Sequence, residues 1–205
     1  MKGLLKGFLL LVVLIATLMA VAFIWIGSRG ISARAEPGRI ETLIARTMRR
    51  LAIPRSAREL KNPITKSPEI VAQGLAHYAD HCAVCHANDG SGKTDIGSGL
   101  YPKPPDMRLA ATQSLTDGDL FYIIENGVRL TGMPGWSTAT EEGRQATWHL
   151  VHFMRELPNL TDEQIERMKA LNPRSPEEIR QQIEEELFLG GAPDTPAPHS
   201  LPHKH

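Results

Sequence analysis

A run of twenty residues without a charged side chain, residues 7–26, is the feature that most constrains this 205-residue chain. As an α-helix rising about 1.5 Å per residue, such a run is about 30 Å long, which matches the hydrocarbon core of a bilayer. We therefore assign residues 1–27 to an N-terminal transmembrane anchor that crosses the membrane once.

A cleaved signal peptide is the alternative explanation of the same segment. Lys2 and Lys6 give it a basic start, and residues 33–35 fit a small-x-small cleavage pattern. The apolar run is longer than the roughly 7 to 15 residues of a signal core, and the candidate cleavage site lies well beyond it. A retained anchor is favoured. Basic residues flank the run on both sides, so their count does not decide its orientation.

The charges of the chain are balanced overall but unevenly distributed. The chain holds 23 basic and 23 acidic residues, which argues against a nucleic-acid partner. Residues 1–60 carry ten basic and three acidic groups, whereas residues 61–205 carry 13 and 20. Within residues 67–158, six basic groups face eleven acidic ones. We therefore expect partners to meet a small, weakly polar patch rather than a basic surface.

Residues 28–66 are predicted to be a linker that contains one short amphipathic helix. Apolar residues recur there at helical spacing, and arginines occupy the other faces. They are Ile40, Leu43, Ile44, Met48 and Leu51. This helix could lie on an anionic membrane surface or pack on the soluble part, and the sequence leaves both open. Pro54, Pro63 and Pro68 follow, so no helix is expected to continue through the linker.

Helices with clear caps follow from residue 67 onward. The predicted caps are Ser67 with Pro68, Thr116 with Gly127 at the far end, Thr161 with Gln164, and Ser175 with Glu178. They predict helices from 68 towards the cysteines, over 117–126, about 140–157, about 162–171 and about 176–189. No alternating strand pattern occurs, so the fold is predicted to be all-α. We divide it into residues 67–158, a C-terminal helical extension at 159–190, and a Pro/His-rich tail at 191–205 that we expect to be disordered.

The only two cysteines, Cys82 and Cys85, lie in the sequence Cys-Ala-Val-Cys-His. Three positions apart, they cannot cross-link distant parts of a fold, so a disulfide framework is excluded. The pattern is the attachment signature for c-type haem: the two thiols reach the vinyl groups on one porphyrin edge, and the imidazole of His86 falls beneath the iron. A thioredoxin-like redox pair would need a βαβ context, and a zinc site would need a second ligand pair. Neither is present in the sequence, which predicts one covalently bound haem c.

Met133 is the candidate for the second axial ligand of that haem iron. It lies between Gly132 and Pro134, on a loop where its thioether can point at a metal. We expect the other six methionines to fill the core.

With these motifs, residues 67–158 resemble the class I (mitochondrial-type) monohaem cytochromes c, in a membrane-anchored bacterial form. The matching features are Gly74 and Tyr78, the residues 82–86, the proline-rich stretch 101–106, Asn126-Gly127 and residues 150–154. The resemblance implies an all-α class I fold whose first and last helices cross at Gly74, with Tyr78 packed near Leu150 and Phe153. It also implies that the carbonyl of Pro104 or Pro105 accepts the Nδ1 proton of His86.

The resemblance implies an electron carrier in the inner (cytoplasmic) membrane, with residues 61–205 in the periplasm. Its partners would be quinol-oxidising, dehydrogenase or terminal oxidase complexes. No constellation of catalytic acid, base or nucleophile accompanies the haem site, and a His86/Met133 pair leaves no open position, so a bond-making enzyme is not expected. Two alternatives stay open. The chain could be a haem-bearing subunit of a larger dehydrogenase or oxidase, docked through helices 161–189, or a gas sensor whose iron–Met133 bond yields to CO or NO.

The remaining histidines are weighed as possible metal ligands. His77 with His81, and His149 with His152, have spacings that could bind a metal, but partly exposed helix surface is the better interpretation. In the tail, His199, His203 and His205 are expected to belong to a disordered polar segment.

Overall fold

The computed structural model describes residues 2–30, 32–174 and 176–188, and in this part of the chain every regular element is helical, as predicted. The helices are α1 (Lys2–Arg29), α2 (Arg39–Ala52), α3 (Arg55–Arg58), α4 (Pro68–His77), a π-helical turn (Tyr78–Cys82), α5 (Ala83–His86), α6 (Asp95–Ser98), α7 (Ala110–Gln113), α8 (Asp117–Asn126), α9 (Glu141–Glu156), a 3₁₀ turn (Leu157–Asn159), α10 (Asp162–Leu171) and α11 (Pro176–Phe188). The chain forms two compact units, Met1–Ala35 and Glu36–His205.

The first unit consists mainly of α1. Its stretch Gly3–Ser28 has a mean hydropathy of 3.0 and is long enough to cross a membrane, with none of it buried. A signal sequence near an N-terminus has the same length and composition. The apolar helix is therefore confirmed as a candidate membrane span.

The predicted caps explain where the longer helices of the second unit begin. Ser67 Oγ accepts a hydrogen bond from the Ile70 amide at 3.3 Å, with Pro68 in the first turn. Thr116 and Asp119 cap each other's amides at the start of α8, at 3.0 and 3.1 Å. Thr140 Oγ1 accepts from the Gly143 amide at the start of α9, whereas Thr161 and Gln164 cap each other's amides at the start of α10. The predicted cap at Ser175 lies outside the described residues.

Helices α4 and α9 cross closely at Gly74, as the resemblance implied. A Cβ atom at Gly74 would lie 2.8 Å from the carbonyl carbon of His149 and 2.9 Å from Cβ of Phe153. Tyr78 is fully buried, its ring centroid 5.1 Å from that of Phe153, and its hydroxyl donates to the Ala87 carbonyl at 2.9 Å. Leu150 belongs to the same core. The crossing fixes the end of α4, from which the cysteines follow.

The core extends beyond residues 67–158 on both sides. Met168 on α10 is completely buried in the cluster that contains Tyr78 and Phe153. On the other side, Ala57 on α3 is buried, and its carbonyl lies against Gly118 of α8. The short helix α3, which the sequence did not predict, begins directly after Pro54 and ends before Pro63, so no helix runs through the prolines of the linker. Proline suits this place because its amide would be unpaired at a helix start.

The methionines divide between core and surface. Met107, Met154 and Met168 are buried, as expected. Met19 and Met48 are exposed, which contradicts the prediction that both fill the core. Met19 lies in the apolar candidate span, and Met48 lies on an exposed face of α2. Met1 lies outside the described residues.

Candidate haem-attachment site

The two cysteines lie where the helix that starts at Pro68 changes its winding. After α4 the backbone makes one π-helical turn that ends at Cys82, and α5 then ends at His86. Single π-helical turns inside α-helices occur frequently at functional sites, because they widen the turn and redirect side chains. Ala87 has a positive φ of 60°, which ends the helix directly after the histidine. The Cys-x-x-Cys-His segment is therefore a short, irregular helical end.

The thiols of the two cysteines are half-buried and unbridged. The pKa of Cys82 is raised to about 12, mainly by burial and also by the nearby Cys85 and Asp80. Burial also raises the pKa of Cys85. Redox-active cysteine pairs require a lowered thiol pKa, so these values argue against a thioredoxin-like pair. They fit sulfurs that are destined for neutral thioether bonds.

His86 offers a neutral imidazole at the end of the segment. Burial lowers its pKa to about 4, so its ring nitrogens are available to a metal at neutral pH. Its Nδ1 is buried and has no hydrogen-bond partner. The predicted hydrogen bond to the carbonyl of Pro104 or Pro105 is thus not formed here. In haem ligation Nδ1 of the histidine donates to a protein carbonyl, and the Nδ1 of His86 is free for such a bond.

The loop that contains Pro104 lies next to His86 nevertheless. The amide of Gly92 donates to the His86 carbonyl at 2.9 Å, and a Cβ at Gly92 would lie 3.1 Å from the carbonyl carbon of Pro104. The positive φ of Gly92, 73°, and this close approach both require glycine. The proline-rich stretch is therefore placed beside the segment that follows the cysteines.

Two interactions hold the proline-rich stretch in that place. Met107, buried, donates its amide to the Gly90 carbonyl at 2.8 Å. Arg108 bonds to Asp106 at 2.7 Å and to Asp89 at 3.0 Å, so that it ties the stretch to the loop after His86. The hydrogen bond from Arg108 also lowers the pKa of Asp106. Sequence analysis missed this arginine, whose only local signal is its spacing from Asp106.

Helix α6 closes the other side of the attachment segment. Thr94 caps α6 through the Gly97 amide, and its hydroxyl donates to the Cys85 carbonyl at 3.3 Å. A Cβ at Gly97 would lie 2.6 Å from the same carbonyl oxygen. Nothing in the sequence pattern predicted this four-residue helix.

Met133 lies half-buried on a loop that folds back on the end of α8. Its carbonyl accepts from the Val128 amide at 3.1 Å, and its own amide donates to the Thr131 hydroxyl at 3.1 Å. Gly127 has a positive φ of 67°, and a Cβ there would lie 2.6 Å from the Met133 carbonyl oxygen. The methionine is therefore held by its backbone on a shaped loop, as the sequence predicted.

Two contacts bring the methionine loop to the attachment segment. The ring centroids of His81 and Trp136 are 5.5 Å apart, with the rings perpendicular. His81 directly precedes Cys82, and Trp136 follows Met133 by three residues. On the second side, a Cβ at Gly132 would lie 2.8 Å from the Leu100 side chain, just beyond α6. The structure therefore gathers Cys82, Cys85, His86, Pro104 and the Met133 loop into one region, with Trp136 and Leu100 as members that the sequence did not reveal.

The two histidine pairs lie on the surfaces of helices. His77, His81, His149 and His152 are all partly exposed on helices, as expected. The ring of His152 hydrogen-bonds to the Ile64 carbonyl at 2.8 Å, which uses one of its nitrogens. Within the described ranges, no group of three or more His, Cys, Asp or Glu side chains could hold a metal ion. The histidines of the tail lie outside those ranges.

A comparison with protein families matches residues 69–154 to the model described as cytochrome C oxidase, cbb3-type, subunit III. Residues 69–154 are a c-type cytochrome domain. This cytochrome domain contains the attachment segment, both prolines and Met133, and implies electron transport by covalently bound haem c. The match covers less than half of the chain. A comparison with curated proteins found no match.

Proposed function

We propose that the chain is a membrane-anchored monohaem electron carrier of the class I type. One haem c is bound through Cys82 and Cys85, and its iron is held by His86 and Met133. The observation that carries this proposal is the buried, neutral imidazole of His86, which directly follows two protonated thiols and lies in the same region as the methionine loop.

The residues of the chain have distinct tasks in this proposal. His86 and Met133 would hold the haem iron, and the haem would supply one-electron transfer there. The Nδ1 of His86, which has no partner in the structure, would donate to the carbonyl of Pro104 or Pro105 in the haem-bound protein and so keep the ring in one orientation. The Arg108 bonds to Asp106 and Asp89 hold the prolines in reach. Trp136, which contacts His81, and Leu100, which lies against Gly132, link the methionine loop to the attachment segment.

The partners in this proposal are redox complexes of the membrane or periplasm. The apolar helix α1 keeps the cytochrome domain at the inner membrane, on the periplasmic side, and so raises its effective concentration for membrane-bound donors and acceptors. The family description favours a second candidate, a haem-bearing subunit of a larger oxidase. A stable complex after extraction in mild detergent would support the subunit, whereas a free monomer would support the carrier.

Replacement of Met133 tests the ligand assignment. We expect low-spin His/Met spectra for the full-length protein and a lower reduction potential for Met133→His, because a thioether favours ferrous iron. Met48→Leu, which changes an exposed methionine, should leave spectrum and potential unchanged. An unchanged potential in Met133→His would remove Met133 from the iron. Ready CO binding by the reduced wild type would favour a gas sensor.

Truncation tests the anchor. A chain without residues 1–27, exported by a cleavable signal, should yield a soluble haem protein. A native protein that is itself soluble and begins at Glu36 would show that the apolar helix is a signal peptide.

A further inference from the structure

Helix α2 exposes an apolar face that no other described part of the protein covers. No residue of α2 is buried. The large apolar side chains of this outward face are Ile40 (75% exposed), Leu43 (66%), Ile44 (57%), Met48 (60%) and Leu51 (75%). Their spacing places them on one side of the helix, where they form a continuous stripe. Contiguous exposed apolar patches mark interaction sites.

The opposite, polar face of α2 is the one that contacts the cytochrome domain. Arg49 is partly buried and donates from Nη2 to the Ala111 carbonyl at 3.4 Å. Thr42, on the same face as Arg49, is also partly buried. At the edge of the stripe, the exposed Glu41 accepts a hydrogen bond from the Tyr101 hydroxyl. A helix that served only to cover a soluble core would be turned the other way, with its apolar face inward.

The end of α2 is fixed to the domain as well. Ile53, the residue after the helix, is only 5% exposed. Arg58 on the following α3 pairs with Asp119 at 3.4 Å, and the Arg58 carbonyl accepts from the Thr116 hydroxyl at 3.1 Å. The outward orientation of the apolar stripe is therefore determined by contacts at both ends of the helix and not by a loose attachment.

We propose that the outward face of α2 lies in the interfacial region of an anionic lipid bilayer. The inference goes beyond electron transfer, and it rests on residues 7–26 being retained in the membrane. The candidate span ends at Ser28 and α2 begins at Arg39. The residues between them reach at most about 35 Å when fully extended, so α2 is tethered close to the bilayer surface.

The charges beside the apolar stripe of α2 support lipid as the partner of this face. Arg39, Arg46 and Arg50 lie beside one edge of the apolar stripe, from their positions along the helix. A helix with an apolar stripe bordered by arginines is typical of helices that lie in the plane of an anionic membrane surface, with the guanidinium groups at the headgroups. The cytochrome domain would then face the membrane with the side that carries Tyr101 and Ala111.

Spin-label accessibility on the full-length holoprotein tests this proposal. A nitroxide is placed on Leu43→Cys or Met48→Cys, and the protein is reconstituted in vesicles that contain phosphatidylglycerol. Collision rates with oxygen, which concentrates in lipid, are compared with those of a water-soluble nickel chelate. We expect nickel accessibility at both positions to be several-fold lower than at Leu187→Cys, with oxygen accessibility higher. Leu187 is a suitable control because it is 57% exposed on the acidic helix α11.

Two further samples test the role of the arginines and the specificity of the labelling. Replacement of both Arg46 and Arg50 by Gln should raise nickel accessibility at position 43; an unchanged value would overturn the assignment of anionic lipid. The wild-type chain, labelled in parallel, should take up no nitroxide if Cys82 and Cys85 hold haem, so that label on it would count against the proposed function and not against the lipid contact.

Other outcomes would overturn the proposal. Nickel accessibility at positions 43 and 48 equal to that at 187 would place the outward face in water. Low accessibility to both reagents would mean that protein covers the face, either a second copy of this chain or a partner complex.

Discussion

At the scale of single residues, the pH dependence of stability should report on His77. This partly exposed side chain has its pKa lowered to about 4, mainly by burial and then by the neighbouring His81, with Asp80 acting in the opposite sense and His149 lowering it further. In the unfolded chain the same group titrates near 6.5. Between these values the unfolded state binds more protons, so stability falls as pH decreases from about 6.5 to about 4.

The expected loss over that range is on the order of 3 kcal/mol. Denaturant unfolding of wild type and His77→Gln at several pH values measures it as the difference between the two proteins. Above pH 7 the group is neutral in both states and contributes nothing to the slope. If both proteins lost equal stability on acidification, His77 would not be responsible.

At the scale of elements, the crossing of α4 and α9 depends on the missing side chain of Gly74. Gly74→Ala should destabilise the protein by about 2 kcal/mol, because a methyl group there would overlap the backbone of His149. Gly99→Ala is the matched control: a Cβ there would be 3.5 Å from its nearest neighbour, an ordinary contact. Denaturant unfolding compares the two. Equal stability of the variants would show that the crossing can relax without cost.

The C-terminal extension should contribute directly to the stability of the cytochrome domain. Met168 on α10 is completely buried, and Met168→Ala should cost about 2–5 kcal/mol through lost burial and a residual cavity. Met48→Ala, at a position 60% exposed, should change the unfolding free energy in detergent by less than about 0.5 kcal/mol. A small effect of Met168→Ala would mean that α10 is only loosely attached to the core.

At the scale of the whole molecule, charge should govern how the carrier meets its partners. Residues 67–158 hold six basic and eleven acidic groups, a net charge of −5 before the haem propionates are counted. In the structure Lys103, Arg108 and Arg155 are each paired with acidic residues, so their positive charges are locally compensated.

Electron-transfer rates should therefore vary little with ionic strength, or rise with it for an acidic partner. Added salt screens the repulsion over a Debye length of about 10 Å at 0.1 M. Second-order rates with a defined acidic redox partner, measured across added salt, test this. A steep fall in rate with rising salt would reveal attractive steering by basic residues and contradict the expectation.

The sequence by itself determined the features that depend on residues close together in the chain. The caps at Ser67, Thr116 and Thr161 identified helix starts to within a residue or two, because capping uses side chains one turn from the backbone groups they satisfy. The Cys-x-x-Cys-His segment indicated the cofactor for the same reason, since its chemistry lies within five residues.

Only the tertiary structure decided what depends on distant residues. Arg108 reaching Asp89, Trp136 against His81, and Met168 within the core all join parts of the chain that no local pattern relates. The orientation of α2 is the sharpest case. Its amphipathic pattern predicts that one face leaves water, but a protein core and a lipid surface satisfy that pattern equally. The contact of Arg49 turns the polar face inward, because its hydrogen bond to the Ala111 carbonyl depends on where that residue is folded.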